Sequence, residues 1–172
     1  MPASQAASHA LHEALKAADI RLVAALPESW IAPLVRLVDE DRDQQLVLVA
    51  REEEGVGICA GAHLAGTRSA LLMQNHGFLQ SINGVVSLAM LYRIPLLMLI
   101  SDRGHLGEKD PWQTEGGRYT RPLLEALTIV FEELNDVEQA TRQVADAAAL
   151  ADSSLAPVAL LLTRRLMYED GS

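Results

Sequence analysis

Short runs of Val, Leu, Ile and Ala recur along this chain with helix-periodic segments between them, and that alternation restricts it to α/β architectures. Residues 21–26, 45–50, 70–74, 95–101, 127–131 and 158–163 read as strands; residues 4–18, 28–39, 52–65, 79–92 and 136–151 read as helices. The chain is 49% hydrophobic but only 4% aromatic, so its core has to be built from small aliphatic side chains, which suits stacked helix and sheet layers. Uninterrupted apolar runs predict strands buried on both faces of a parallel sheet. Residues 102–120, polar and glycine-rich without a clear period, read as the longest loop. The expected fold is a doubly wound α/β domain spanning residues 1–172. It has six parallel strands with helices on both faces, and ligands at the carboxyl ends of the strands.

Charge and cysteine usage narrow the function. A formal net charge of -9 disfavours nucleic acid or an anionic membrane as partner, because both would repel the chain. An anionic substrate would need a local basic site. The one cysteine, Cys59, allows neither an internal disulfide nor a cysteine metal site, which points to a reducing, cytoplasmic setting. The amino-terminal stretch, with His9, Glu13 and Lys16 among small residues, lacks the pattern of a signal peptide. The apolar runs are too short to span a bilayer.

One helix is unusual. Its start, Arg51-Glu52-Glu53-Glu54, is followed by Gly55, Gly57 and Gly61 within a single segment. Glycine inside a helix costs up to about 1 kcal/mol relative to alanine, so another backbone or a flat ring is expected to approach here. Three acidic residues at a helix start also favour the macrodipole, so a solvated cap is the plain alternative for Glu52. Cys59 reads as a small buried apolar residue. His9, His12 and His63 lack metal-ligand spacing and read as surface or packing residues.

Four blocks, in order, resemble thiamine-diphosphate-dependent decarboxylases in their pyrimidine-binding (PYR) domain. They are Leu26-Pro27-Glu28-Ser29; Glu52 with Gly57-Ile58-Cys59-Ala60-Gly61; Met73-Gln74-Asn75-His76-Gly77 with Ser81-Ile82-Asn83-Gly84; and Arg103-Gly104, Lys109-Asp110, Gln113 and Gly117-Arg118. The last two blocks are most similar to the sulfopyruvate and phosphonopyruvate decarboxylases. The resemblance implies that Glu52 is catalytic, bonding the pyrimidine ring of thiamine diphosphate and promoting its imino form. Burial against apolar groups would favour a shared proton. It also implies that Gly55, Gln74 and Asn75 adjoin the cofactor. Ser29, Gln74, Asn75, His76, Arg103 and Lys109 would meet the substrate, with Arg103, His105 and Lys109 facing a sulfonate or phosphonate. His76 stands where the related decarboxylases commonly carry serine. Local sequence leaves plainer readings open: helix caps for Ser29 and His76, and a solvated loop for His105 and Lys109.

The Gly-Asp-Gly motif that these enzymes use to hold Mg2+ and the diphosphate does not occur in the chain. The resemblance therefore implies a partner β subunit carrying the diphosphate-binding domain, in a hetero-oligomer of at least α2β2. The expected function is the α, or PYR, subunit of a two-subunit 2-oxo acid decarboxylase of the sulfopyruvate type, yielding sulfoacetaldehyde and CO2. A phosphonopyruvate-type or other decarboxylase or carboligase subunit is the first alternative. A non-catalytic α/β binding or regulatory module is the second.

Overall fold

The computed structural model describes residues 3–168. Six strands, β1 (Leu22–Ala25), β2 (Gln45–Leu48), β3 (Ser69–Gln74), β4 (Leu96–Ser101), β5 (Val130–Leu134) and β6 (Pro157–Leu162), form one sheet in the order β2-β1-β3-β4-β6-β5. Every neighbouring pair is parallel. This is the expected doubly wound α/β architecture. Alternate side chains along each strand enter opposite cores, as the strand period requires. Val23 and Ala25 pack with α1 (Gln5–Ala17), α2 (Ala32–Glu40) and α6 (Ala140–Ser154). Ala24, Leu71 and Met98 face α3 (Glu52–Leu64), α4 (Asn75–Gly84) and α5 (Thr114–Ala126).

The central strands β4 and β6 are buried throughout, but the edges are not. In β2, Leu48 is exposed, and β5 alternates between exposed and half-buried positions up to its last residue. An edge strand is covered less completely than a central one, so the expectation of burial on both faces fails there. Strand β5 also lies three residues later than expected. Leu127 to Ile129 close α5 instead, with Thr128 in the left-handed region at φ 55°.

Two further boundaries differ for physical reasons. The expected loop 102–120 is irregular only to Asp110; a 3-10 turn (Pro111–Gln113) then leads into α5. Gly116, Gly117 and the internal Pro122 hide that helix in the sequence. The glycines answer to neighbours: a Cβ on Gly116 would lie 2.7 Å from His76 Cε1, and one on Gly117 would overlap the Arg103 carbonyl oxygen. Likewise α4 begins at Asn75 and runs on through π-helical turns at Val85–Met90. No helix among the described residues is long and apolar enough to cross a membrane.

Candidate active site

Three helices, α3, α4 and α5, begin at or near the carboxyl edge of the sheet, and their first turns meet there. The three acids that open α3 have separate fates. Glu54 Oε2 accepts from the backbone N–H groups of Ala50 (3.0 Å) and Arg51 (3.2 Å), which makes it the cap. Glu53 Oε1 accepts from Asn83 Nδ2 at 3.1 Å, tying α3 to α4. Glu52 is only 5% exposed, and its carboxylate has no hydrogen bond or ion pair among the described residues. It lies flat against Gly77, where a Cβ would come within 2.5 Å of Glu52 Cδ. The capping alternative thus belongs to Glu54, not Glu52.

The glycines of α3 divide as well. Gly55 faces the sheet: its absent side chain makes room for Leu71 Cδ1 of β3, and Ala24 Cβ would lie 3.5 Å away. Gly55 thus lets α3 pack closely on the sheet. Gly57 and Gly61 are exposed, with nothing within 4 Å of a Cβ at either. Cys59 is buried, and burial pushes its thiol up to about 11, so it is no nucleophile.

Gln74 ends β3, half-buried, and its Oε1 accepts from Gln113 Nε2 at 3.3 Å. Asn75 turns inward. It is fully buried; its Oδ1 accepts from the Arg103 N–H (2.7 Å), and its Nδ2 donates to Thr120 Oγ1 (3.1 Å) and Asp102 Oδ1 (3.4 Å). Both amide ends of Asn75 are thus engaged within the chain, tying β3 to the loop after β4 and to α5. His76 is half-buried against Gly116 and remains at the edge beside Gln74.

The basic loop is also self-contained. Arg103 is 6% exposed and donates to both oxygens of Glu108 (2.8 and 3.0 Å) and to Asp110 Oδ2 (2.9 Å), while its guanidinium stacks 4.7 Å from the Trp30 ring centroid. Burial works against its charge, yet these carboxylates hold its pKa above the ordinary arginine value. Its hydrogen bonds to Glu108 in turn draw that carboxyl down to about 2. Arg103 is thus the centre of an internal latch, its charge matched by Glu108 and Asp110 of its own loop. Arg103 Nη1 also reaches Ser29 Oγ at 3.4 Å, and Ser29 donates weakly to Glu28 at 3.4 Å. His105 pairs with the buried Asp102 at 2.8 Å, and Arg121 bridges Asp102 (2.6 Å) and Glu133. Lys109 stays exposed and, with Ser29, Trp30, Arg103 and Tyr168, lines a cavity of about 330 Å³.

Glu52, Gln74 and His76 are therefore the expected residues that the fold leaves beside the edge with their own chemistry available. Ser29 and Lys109 line the neighbouring cavity. The arrangement offers a buried carboxyl able to hold or accept a proton, beside amide and imidazole groups. Gln113 belongs to the same wall. Its place in the resembling block marked it, but its contact with Gln74 depends on a helix that the sequence conceals. Of the histidines outside the site, His12 is buried, with Nε2 3.1 Å from Asp41, which matches a packing role.

Residues 5–119 match the model of a family described as thiamine pyrophosphate enzyme, N-terminal TPP binding domain. Over 156 residues the chain is 38% identical to the sulfopyruvate decarboxylase subunit alpha of Methanococcus maripaludis, covering 91% of this chain and 93% of that one. It is 31% identical over 154 residues to a phosphonopyruvate decarboxylase of Streptomyces viridochromogenes, covering 88% of this chain but 38% of that one. A solved 2-oxoglutarate:ferredoxin oxidoreductase from Magnetococcus marinus shares the fold, with a TM-score of 0.72 at 19% identity, over 93% of this chain and 29% of that one.

Proposed function

We propose, for a chain that belongs to the thiamine pyrophosphate enzyme family as its N-terminal TPP binding domain, that it is the α subunit of a two-subunit decarboxylase acting on sulfopyruvate. The observation that carries this reading is Glu52: a buried carboxylate without a partner among the described residues, set against a glycine, while its two neighbours are bonded. A group so placed fits a heteroaromatic nitrogen arriving from outside the chain. When bound, thiamine diphosphate would supply the electron sink for loss of CO2 from a 2-oxo acid.

This chain's residues would do the rest of the work on their side of the cleft. Glu52 would share a proton with the pyrimidine ring nitrogen, in a pocket that excludes most water. Gln74 would donate to a substrate oxygen, and His76, beside it, would contact the acid group or relay a proton. Ser29 and Lys109 would meet the acid group from the adjoining cavity. A β subunit would hold Mg2+ and the diphosphate, since the chain has no Gly-Asp-Gly, giving at least an α2β2 assembly in the cytoplasm. Identity of 38% to a sulfopyruvate decarboxylase subunit alpha, against 31% to the phosphonopyruvate enzyme, supports sulfopyruvate over phosphonopyruvate.

The test is reconstitution with a β subunit bearing the diphosphate motif, thiamine diphosphate and magnesium, followed by turnover of sulfopyruvate, phosphonopyruvate and pyruvate. Sulfopyruvate should be the preferred substrate by at least tenfold in kcat/KM. Preference for phosphonopyruvate would move the substrate, and no turnover of any 2-oxo acid would favour a non-catalytic module.

A further inference from the structure

Gln113 is 7% exposed, yet its Oε1 is buried with no hydrogen-bond partner. Its Nε2 donates to Gln74 Oε1 at 3.3 Å. The position of residue 113 is set by backbone contacts: Gly104, at φ +85°, lies where a Cβ would overlap the Gln113 carbonyl oxygen. A buried amide that leaves one end unpaired is poorly explained by stability, because an apolar side chain of the same length would avoid that cost. What the amide does achieve is to orient Gln74. A glutamine side chain has one acceptor end and one donor end, so engaging Gln74 Oε1 leaves its Nε2 for something else. That Nε2 has no acceptor among the described residues.

We infer that Gln113 is a positioning residue, which acts through Gln74 and keeps that side chain's donor end turned to the ligand. The inference rests on the 2-oxo acid reading above and deepens it. The carboxylate, ketone and sulfonate oxygens of such a substrate are all acceptors. A Gln74 turned the other way would set its own carbonyl oxygen against them.

The experiment uses the assembled enzyme with its partner subunit. Turnover by the wild-type pair is measured first, so that failure of the functional reading is seen separately. Gln113→Glu in its ionised form can only accept, which obliges Gln74 to turn its Nε2 inward. Its KM should rise at least tenfold, with a matching loss of affinity for the 2-hydroxy acid analogue, which cannot be decarboxylated, measured by calorimetry. Gln113→Met removes the donor without adding charge; KM should rise a fewfold while thermal stability is kept. In a Gln74→Ala background Gln113→Met should change KM and analogue affinity less than twofold. The inference is overturned if Gln113→Glu and Gln113→Met leave both quantities within twofold of wild type. It is equally overturned if the Gln113→Met effect persists in the Gln74→Ala background.

Discussion

At the scale of single residues, the decisive contact is between the Glu52 carboxylate and the bare Cα of Gly77. Alanine is the better helix former, so Gly77→Ala would suit α4 by propensity, but its methyl group needs the space that the carboxylate occupies. Overpacking of this kind costs about 1–3 kcal/mol. The larger consequence should fall on function: decarboxylase activity of the assembled Gly77→Ala enzyme should drop at least tenfold while the α subunit still folds, as judged by circular dichroism and thermal melting. Unchanged turnover would mean that the position of Glu52 is unimportant. The sequence exposed Glu52 because glycine-rich helices are rare and because four blocks fell in one order. It did not reveal the separate fates of Glu52 and Glu53, since those depend on Gly77 and Asn83 arriving from another helix. The packing of Gly55 was hidden for the same reason: Leu71 lies far enough along the chain that only the folded sheet brings it there.

Among the elements, the segment from Asp102 to Asp110 behaves as a small unit closed by Arg103. The charge of Glu108 is fixed by Arg103 and by the N–H groups of Gly104, Lys109 and Asp110. Its folded pKa of about 2 lies below its ordinary value of 4.5, so the latch is at full strength above the ordinary carboxylate range. Its contribution is lost as the pH falls from 4.5 toward 2. Glu108→Gln should lower unfolding stability by roughly 1–2 kcal/mol near neutral pH, the pKa difference being reduced by solvent screening. The gap between variant and wild type, followed by thermal unfolding, should close as the pH falls through that window. A gap independent of pH would show that the Glu108 charge contributes nothing. Sequence reading marked the cations here; the fold pairs Arg103 with Glu108 and Asp110 and His105 with Asp102, while Lys109 stays exposed. The start of α5 was hidden too, as glycines required by His76 and the Arg103 carbonyl look like loop residues.

At the scale of the molecule, the parallel sheet and its two aliphatic cores were legible almost throughout, since buried strands between amphipathic helices leave a clear apolar period. The edges were less so: β5, with Glu132 and Glu133, alternates as a half-covered strand does, and the apolar residues before it belong to a helix end. Under the proposed function, the carboxyl edge of the sheet would be half of an active site, with Glu52 meeting a ring whose other end another chain holds. The most direct measurement is turnover of sulfopyruvate by the reconstituted pair carrying Glu52→Gln, compared with Glu53→Gln and Glu54→Gln. Loss of at least a hundredfold confined to Glu52→Gln, with the other two within a fewfold of wild type, is the predicted result. Equal activity in all three variants, or a greater loss at Glu53 or Glu54, would contradict the assignment.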